Sequence, residues 1–184
     1  MTLRIAIILM GLLLCFGCNK STTDPRIAQL EAEIKKLKSG DESLDAAKKA
    51  TRELKKINSV IEMGVNYANY TKTLLDAKPA FDEAMENISD EKLKMALKTT
   101  MQAFIDAEKF WNICITKQAN DEGWIYFSPE QQNQFKVYKL QWKFYPNVWE
   151  GYLAGNQSMI QEIWKFANIS LALSEQLSKQ NETK

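Results

Sequence analysis

The sequence predicts an all-α fold, an antiparallel bundle of four to five helices with short connections. Three observations predict it. Apolar residues recur at spacings of three and four in successive segments, which places them on one helix face. Helix start signals stand at Asp24-Pro25, Ser89-Asp90-Glu91 and Ser128-Pro129-Glu130-Gln131. No segment of any length alternates with the period of a strand, and there is no internal repeat.

The chain opens with one fixed charge, Arg4, and an apolar run from Ile5 to Phe16. About a dozen residues at ~1.5 Å each cannot span ~30 Å of hydrocarbon. They have the length and charge order of a secretory signal. The run ends in Gly17-Cys18. Charged start, apolar run and Gly-Cys end together resemble the precursor of a bacterial lipoprotein, in which a small residue precedes a lipidated cysteine. Cys15 and Phe16 depart from the family's usual Leu and small residue. The resemblance covers residues 1–18 alone. It implies that residues 1–17 are removed as a signal peptide and that Cys18 carries acyl chains. The membrane is then a partner through Cys18, and the mature chain lies in the cell envelope. Each buried methylene contributes ~0.8 kcal/mol, so two or three chains anchor stably. Asn19 after the cysteine points to the outer membrane by one sorting rule, and Lys20-Ser21 to the inner membrane by another; the membrane stays open.

Residues 18–25 read as a polar tether, with Asp24 as cap and Pro25 at the first helical position. Residues 26–40 form a heptad-like helix. Ile27, Leu30, Ile34 and Leu37 make its seam, with Glu31 and Lys35 spaced for an i,i+4 pair. The seam can pair with a second copy in a homo-oligomer or lie on the bundle. Ser39-Gly40-Asp41-Glu42 reads as its end and a new capping box. The bundle then occupies residues 41–180.

Leu54, Ile57, Ile61, Val65, Ala68 and Leu75 predict a helix from Leu44 to Ala77, weakened at Gly64 and ended or kinked by Pro79. Phe81, Met85 and Ile88 continue a face for about two turns. Leu93, Leu97, Thr100, Phe104, Ala107, Trp111 and Ile115 form the clearest amphipathic helix. Trp124 to Phe127 is too short for periodicity to assign. Phe135, Tyr138, Trp142 and Tyr145 predict a helical stripe ended by Pro146. Ile160, Ile163, Ala167, Leu171 and Leu177 predict the last helix.

Composition excludes several functions. Lys and Arg number 24 against 23 acids, and loss of Arg4 with the signal balances them. A balanced chain lacks the basic footprint of a nucleic-acid binder. There is no histidine, so the commonest metal ligand and general base are missing. Phosphate loops, Cys-x-x-Cys pairs and nucleophile elbows are absent too. Cys114 is the one cysteine left after processing and acylation, and it reads as a small packed residue. Glu83 and Glu86 read as a solvated helix face. The chain is therefore expected to be no enzyme, with no cofactor and no metal.

Of 19 aromatic residues, 10 lie between Trp124 and Tyr152. The regular Phe135, Tyr138 and Trp142 are assigned to the core. Trp124, Trp149 and Tyr152 sit on irregular flanks, where aromatics mark interaction surfaces, and are the expected partner-binding residues. The functional expectation is a lipid-anchored envelope protein that binds an envelope protein or glycan. The alternative is an oligomeric spacer built on the N-terminal seam.

Overall fold

The computed structural model describes residues 25–117, 119–121, 123–144, 153–155 and 157–182. The chain divides into two units, Met1–Lys38 and Ser39–Lys184. In the first, the described backbone is helical, and Leu30 and Ile34 are 57% and 51% exposed.

The second unit is an all-α helical bundle with a small sheet added at one end. Its four long helices are α1 (Pro25–Glu62, which begins in the first unit), α2 (Tyr67–Glu86), α3 (Glu91–Thr116) and α5 (Ile160–Glu182). A six-residue α4 spans Pro129–Gln134. Polar contacts fix the helix directions. Lys49 meets Glu83 at 2.7 Å and the Ser89 amide donates to Ser43 Oγ at 2.9 Å, so α1 and α2 run antiparallel. Tyr70 Oη donates to the Phe104 carbonyl at 2.8 Å while Tyr67 bonds Glu108, which sets α2 against α3 in the same way. Asn181 donates to Asp90 at 3.0 Å, and Trp164 packs on Trp111, so α5 is antiparallel to α3. Lys48–Glu182 and Lys55–Glu175 close the ring between α1 and α5.

Each helix contributes a stripe at three-four spacing. On α1 it is Ser43, Ala47, Ala50, Leu54 and Ile57, and on α2 it is Tyr70, Leu74, Ala77, Phe81 and Ala84. The α3 stripe runs from Leu93 to Cys114, and the α5 stripe from Ile160 to Ser178. Burial of such stripes supplies most of a helix's stability.

Several boundaries differ from the sequence reading. The expected break at Ser39-Gly40 is not made, and α1 is continuous through it. An isolated glycine costs only ~1 kcal/mol in a helix interior, which the long flanking helix outweighs. The break falls instead at Gly64, whose φ of 82° takes the left-handed conformation that ends a helix. Asn66 then caps α2 by accepting from the Asn69 amide at 2.9 Å. Pro79 lies inside α2 without ending it. Its missing donor would have bonded the Leu75 carbonyl, and both residues face solvent, where water can take that role. Leu75 and Ile115, expected on buried stripes, are exposed.

The largest correction concerns the stretch from Ile125 to Gly155. Three short strands, β1 (Ile125–Phe127), β2 (Lys143–Phe144) and β3 (Leu153–Gly155), form an antiparallel sheet in the order β1-β3-β2. Phe127 and Phe144 both pair with Leu153. Strands of two or three residues are too short to show a period of two, so the sequence reading found none. The helical stripe through Phe135, Tyr138 and Trp142 is likewise not one helix, and Tyr145 and Pro146 lie outside the described residues. α4 stops at Gln134, a 3₁₀ turn covers Lys136–Tyr138, and β2 follows.

Candidate functional site

The described residues between Ala119 and Gly155 form an aromatic cap on the end of the bundle where α3 finishes. Phe110 of α3 is its centre. Phe127 stacks on Phe110 at 5.0 Å, Phe135 meets it edge-on at 5.1 Å, and Trp142 tilts over it at 6.2 Å. Such ring pairs contribute ~0.5–1.5 kcal/mol beyond their burial. Phe135 and Tyr138 are buried and Trp142 is half-buried, so all three join the core as expected, but by ring packing and not by a helical stripe.

Two polar anchors hold the cap to α3. Tyr138 Oη donates to Asp106 at 2.7 Å, and burial together with that carboxylate raises the phenol well above its ordinary range. The Lys117 ammonium donates to the Tyr126 carbonyl at 2.7 Å and to Gln131 Oε1 at 2.8 Å, and lies 5.7 Å above the Phe127 ring. Burial lowers its pKa. Gln131 completes the capping box with Ser128 read from the sequence. Gly155 lies in the same cluster. A Cβ there would sit 2.9 Å from the Trp142 ring and 3.2 Å from Phe127, so only glycine fits the ring packing.

Where α4 turns into the 3₁₀ segment, the cap carries a groove of about 350 Å³. Gln132, Asn133, Lys136, Lys139 and Trp142 line it, together with the apolar Pro129 and Leu140. Gln132 Nε2 is held by the Phe127 carbonyl at 2.8 Å, which fixes that side chain. Lys136 and Lys139 are exposed, and neither forms an ion pair among the described residues. Lys139 is the one described non-glycine residue with positive φ, at 51°. That conformation costs roughly 1–2 kcal/mol for a residue with a Cβ. Backbone strain of this kind collects at binding sites. Two lysines, two amide residues and a tryptophan thus line one hollow.

Trp124 sits elsewhere on the cap. Its amide donates to Asn120 Oδ1 at 2.8 Å, Gly123 at φ 78° makes the turn, and Lys143 Nζ lies 5.1 Å over the indole. It is half-buried and does not line the groove. Trp149 and Tyr152 lie outside the described residues, as does Cys18. Sequence reasoning missed Lys136, Lys139 and Lys117. Their placement depends on a left-handed turn and on ring packing that no spacing rule encodes.

A second hollow of about 340 Å³ lies between α1 and α5. There Lys48 and Lys55 are paired with Glu182 and Glu175 at 2.9 and 2.5 Å, while Arg52 and Lys179 also line it, and among the described residues no aromatic ring does. Cys114 is buried, and burial pushes its thiol up to about 12, which keeps it protonated and poorly nucleophilic. Among the described residues no group of three or more His, Cys, Asp and Glu side chains is placed to hold a metal, and no helix is long and apolar enough to cross a membrane. No protein-family model matches the chain, and no curated protein or solved structure matches it either.

Proposed function

We propose that the chain is a lipid-anchored bacterial envelope protein, held at Cys18, that binds without catalysing a reaction. Its ligand on this reading is an acidic envelope glycan, taken in the cap groove. The observation that carries the reading is that Lys136, Lys139, Asn133, Gln132 and Trp142 line one groove. A sugar ring offers an apolar face to an indole and a rim of hydroxyls to amides. Carboxylates on that sugar give charge-assisted bonds to the ammonium groups.

The test is a fluorescence titration with a uronic-acid oligosaccharide. Binding should weaken with added salt, because the lysines are exposed. Lys136→Ala should weaken it about tenfold, in line with loss of one charge-assisted contact. An unchanged affinity would remove the groove from the reading. Capture of an envelope protein in place of the glycan would move the site's assignment to that partner. The anchor is tested separately: Cys18→Ser should accumulate as unprocessed precursor, and a normally processed, detergent-independent product would end the lipoprotein part. The exposed Leu30 and Ile34 favour a second reading, a spacer that oligomerises.

A further inference from the structure

We infer that residues 26–38 form a parallel two-stranded coiled coil with a second copy of this chain. Leu30 and Ile34 are large apolar residues more than half exposed on a helix, and water is a poor partner for both. The heptad says what covers them. Ile27 and Ile34 fall at a positions, Leu30 and Leu37 at d positions. β-branched residues at a with Leu at d favour two parallel strands.

The flanking charges agree. Arg26 and Glu33 fall at g, Glu31 and Lys38 at e. In a parallel pair each g residue faces the e residue five places on in the other helix. Arg26 then meets Glu31 of the second copy, and Glu33 meets its Lys38. Both contacts are between opposite charges, and each occurs twice by symmetry. Glu33 and Lys38 are exposed in the single chain and available for this.

Two heptads are short for a stable coiled coil in free solution. Here the inference rests on the proposed anchor. Acylation at Cys18 holds both N-termini on one membrane surface, which aligns the helices in parallel and raises their effective concentration. The dimer is therefore a property of the membrane-bound protein.

The experiment uses the full acylated chain in vesicles of phosphatidylethanolamine and phosphatidylglycerol. Leu30→Cys places a thiol at a d position, next to its own copy across the axis. Ala32→Cys places one at f, on the outside of the pair, where the residue is exposed. Cys114 is buried and stays out of the reaction. Under mild oxidation Leu30→Cys should give a covalent dimer and Ala32→Cys should not. Adding Glu33→Lys to the Leu30→Cys chain should cut crosslinking about tenfold, as two attractive contacts become repulsive. Lys38→Glu should do the same. Mixing those two variants should restore it, because in the mixed pair positions 33 and 38 again carry opposite charges in both directions. In an antiparallel pair the same positions face Arg26 and Glu31, and mixing would not rescue. Equal crosslinking of the two cysteine variants, or no rescue on mixing, overturns the inference. The mass of the mature chain reads acylation independently. In an unacylated chain the Cys18 thiol is itself free, so there the reading is the difference between Leu30→Cys and Ala32→Cys: a persisting difference contradicts the anchor alone, and an acylated chain that does not crosslink contradicts the dimer alone.

Discussion

The two ends of the bundle are built from different side chains. At the cap end, Tyr70, Phe104, Phe110, Trp111 and Trp164 hold the helices around a cluster of rings. At the far end the corresponding stripes carry Ser43, Ala47 and Ala50 on α1 and Ser170, Ser174 and Ser178 on α5. Rings leave a broad platform, on which the sheet and α4 are seated. Small residues let backbones approach closely, so a single hydroxyl, Ser43 Oγ, reaches both the amide and the hydroxyl of Ser89 at 2.9 Å. The Ser174 hydroxyl is satisfied locally, donating to the Leu171 carbonyl at 2.7 Å. One end is therefore shaped to support a surface and the other to close the bundle.

Removing a ring should break the comparison most severely. Phe110→Ala deletes the shared partner of Phe127, Phe135 and Trp142, and such truncations cost ~3–5 kcal/mol. Chemical denaturation should show that loss, with the cap opening first by hydrogen exchange. A loss below about 1 kcal/mol would mean the rings do not organise the cap.

Alkali should act on the same end. Burial holds the Tyr70 and Tyr138 phenols above their ordinary value of 10.0, with the Asp106 carboxylate adding to the effect at Tyr138. The unfolded chain releases these protons near pH 10 and the folded chain keeps them. Their stabilising contribution is whole below about pH 10 and is lost as the pH rises beyond it. Lys117 acts in the opposite sense, since its lowered pKa makes folding more favourable as the pH climbs toward 10.5. Melts taken upward from about pH 10 should fall, and Tyr138→Phe should flatten that fall.

The far end should respond to the opposite kind of change. Ser174→Leu adds volume where α5 packs through small residues, and overpacking costs ~1–3 kcal/mol. The same serine changed to Ala should be nearly silent. If Leu is accepted without loss in a thermal melt, the helices there are not closely packed.

Lys139→Gly separates stability from binding. It relieves the left-handed backbone and should raise stability by up to about 1 kcal/mol in a denaturant titration. It should lower affinity for the acidic oligosaccharide, since an ammonium group is lost. A variant that loses stability would show that the Lys139 side chain holds the turn.

The two ends also differ in how far the sequence foretells them. The far end is long helix with stripes of regular spacing, and Leu93 to Phe104 on α3 is legible residue by residue. So is the helix start at Asp90, whose side chain accepts from the Leu93 amide, and on the aromatic cap the Ser128 capping box is equally legible. The rest of the cap is not legible in this way. Phe135, Tyr138 and Trp142 are spaced like a helix but are held by Phe110, which lies far from them in sequence. Gly64 and Pro79 exchange their expected roles, because φ at a glycine and solvent at a proline are decided by tertiary context. The groove depends on the left-handed Lys139, which no propensity predicts.

The central claim is that the cap end binds and the far end only packs. Amide hydrogen exchange of the full chain, with and without a uronic-acid oligosaccharide, tests it most directly. Ligand should slow exchange across residues 129–142 and leave residues 43–51 and 170–182 unchanged. Unaltered exchange at 129–142, or slowing confined to the far end, would contradict it.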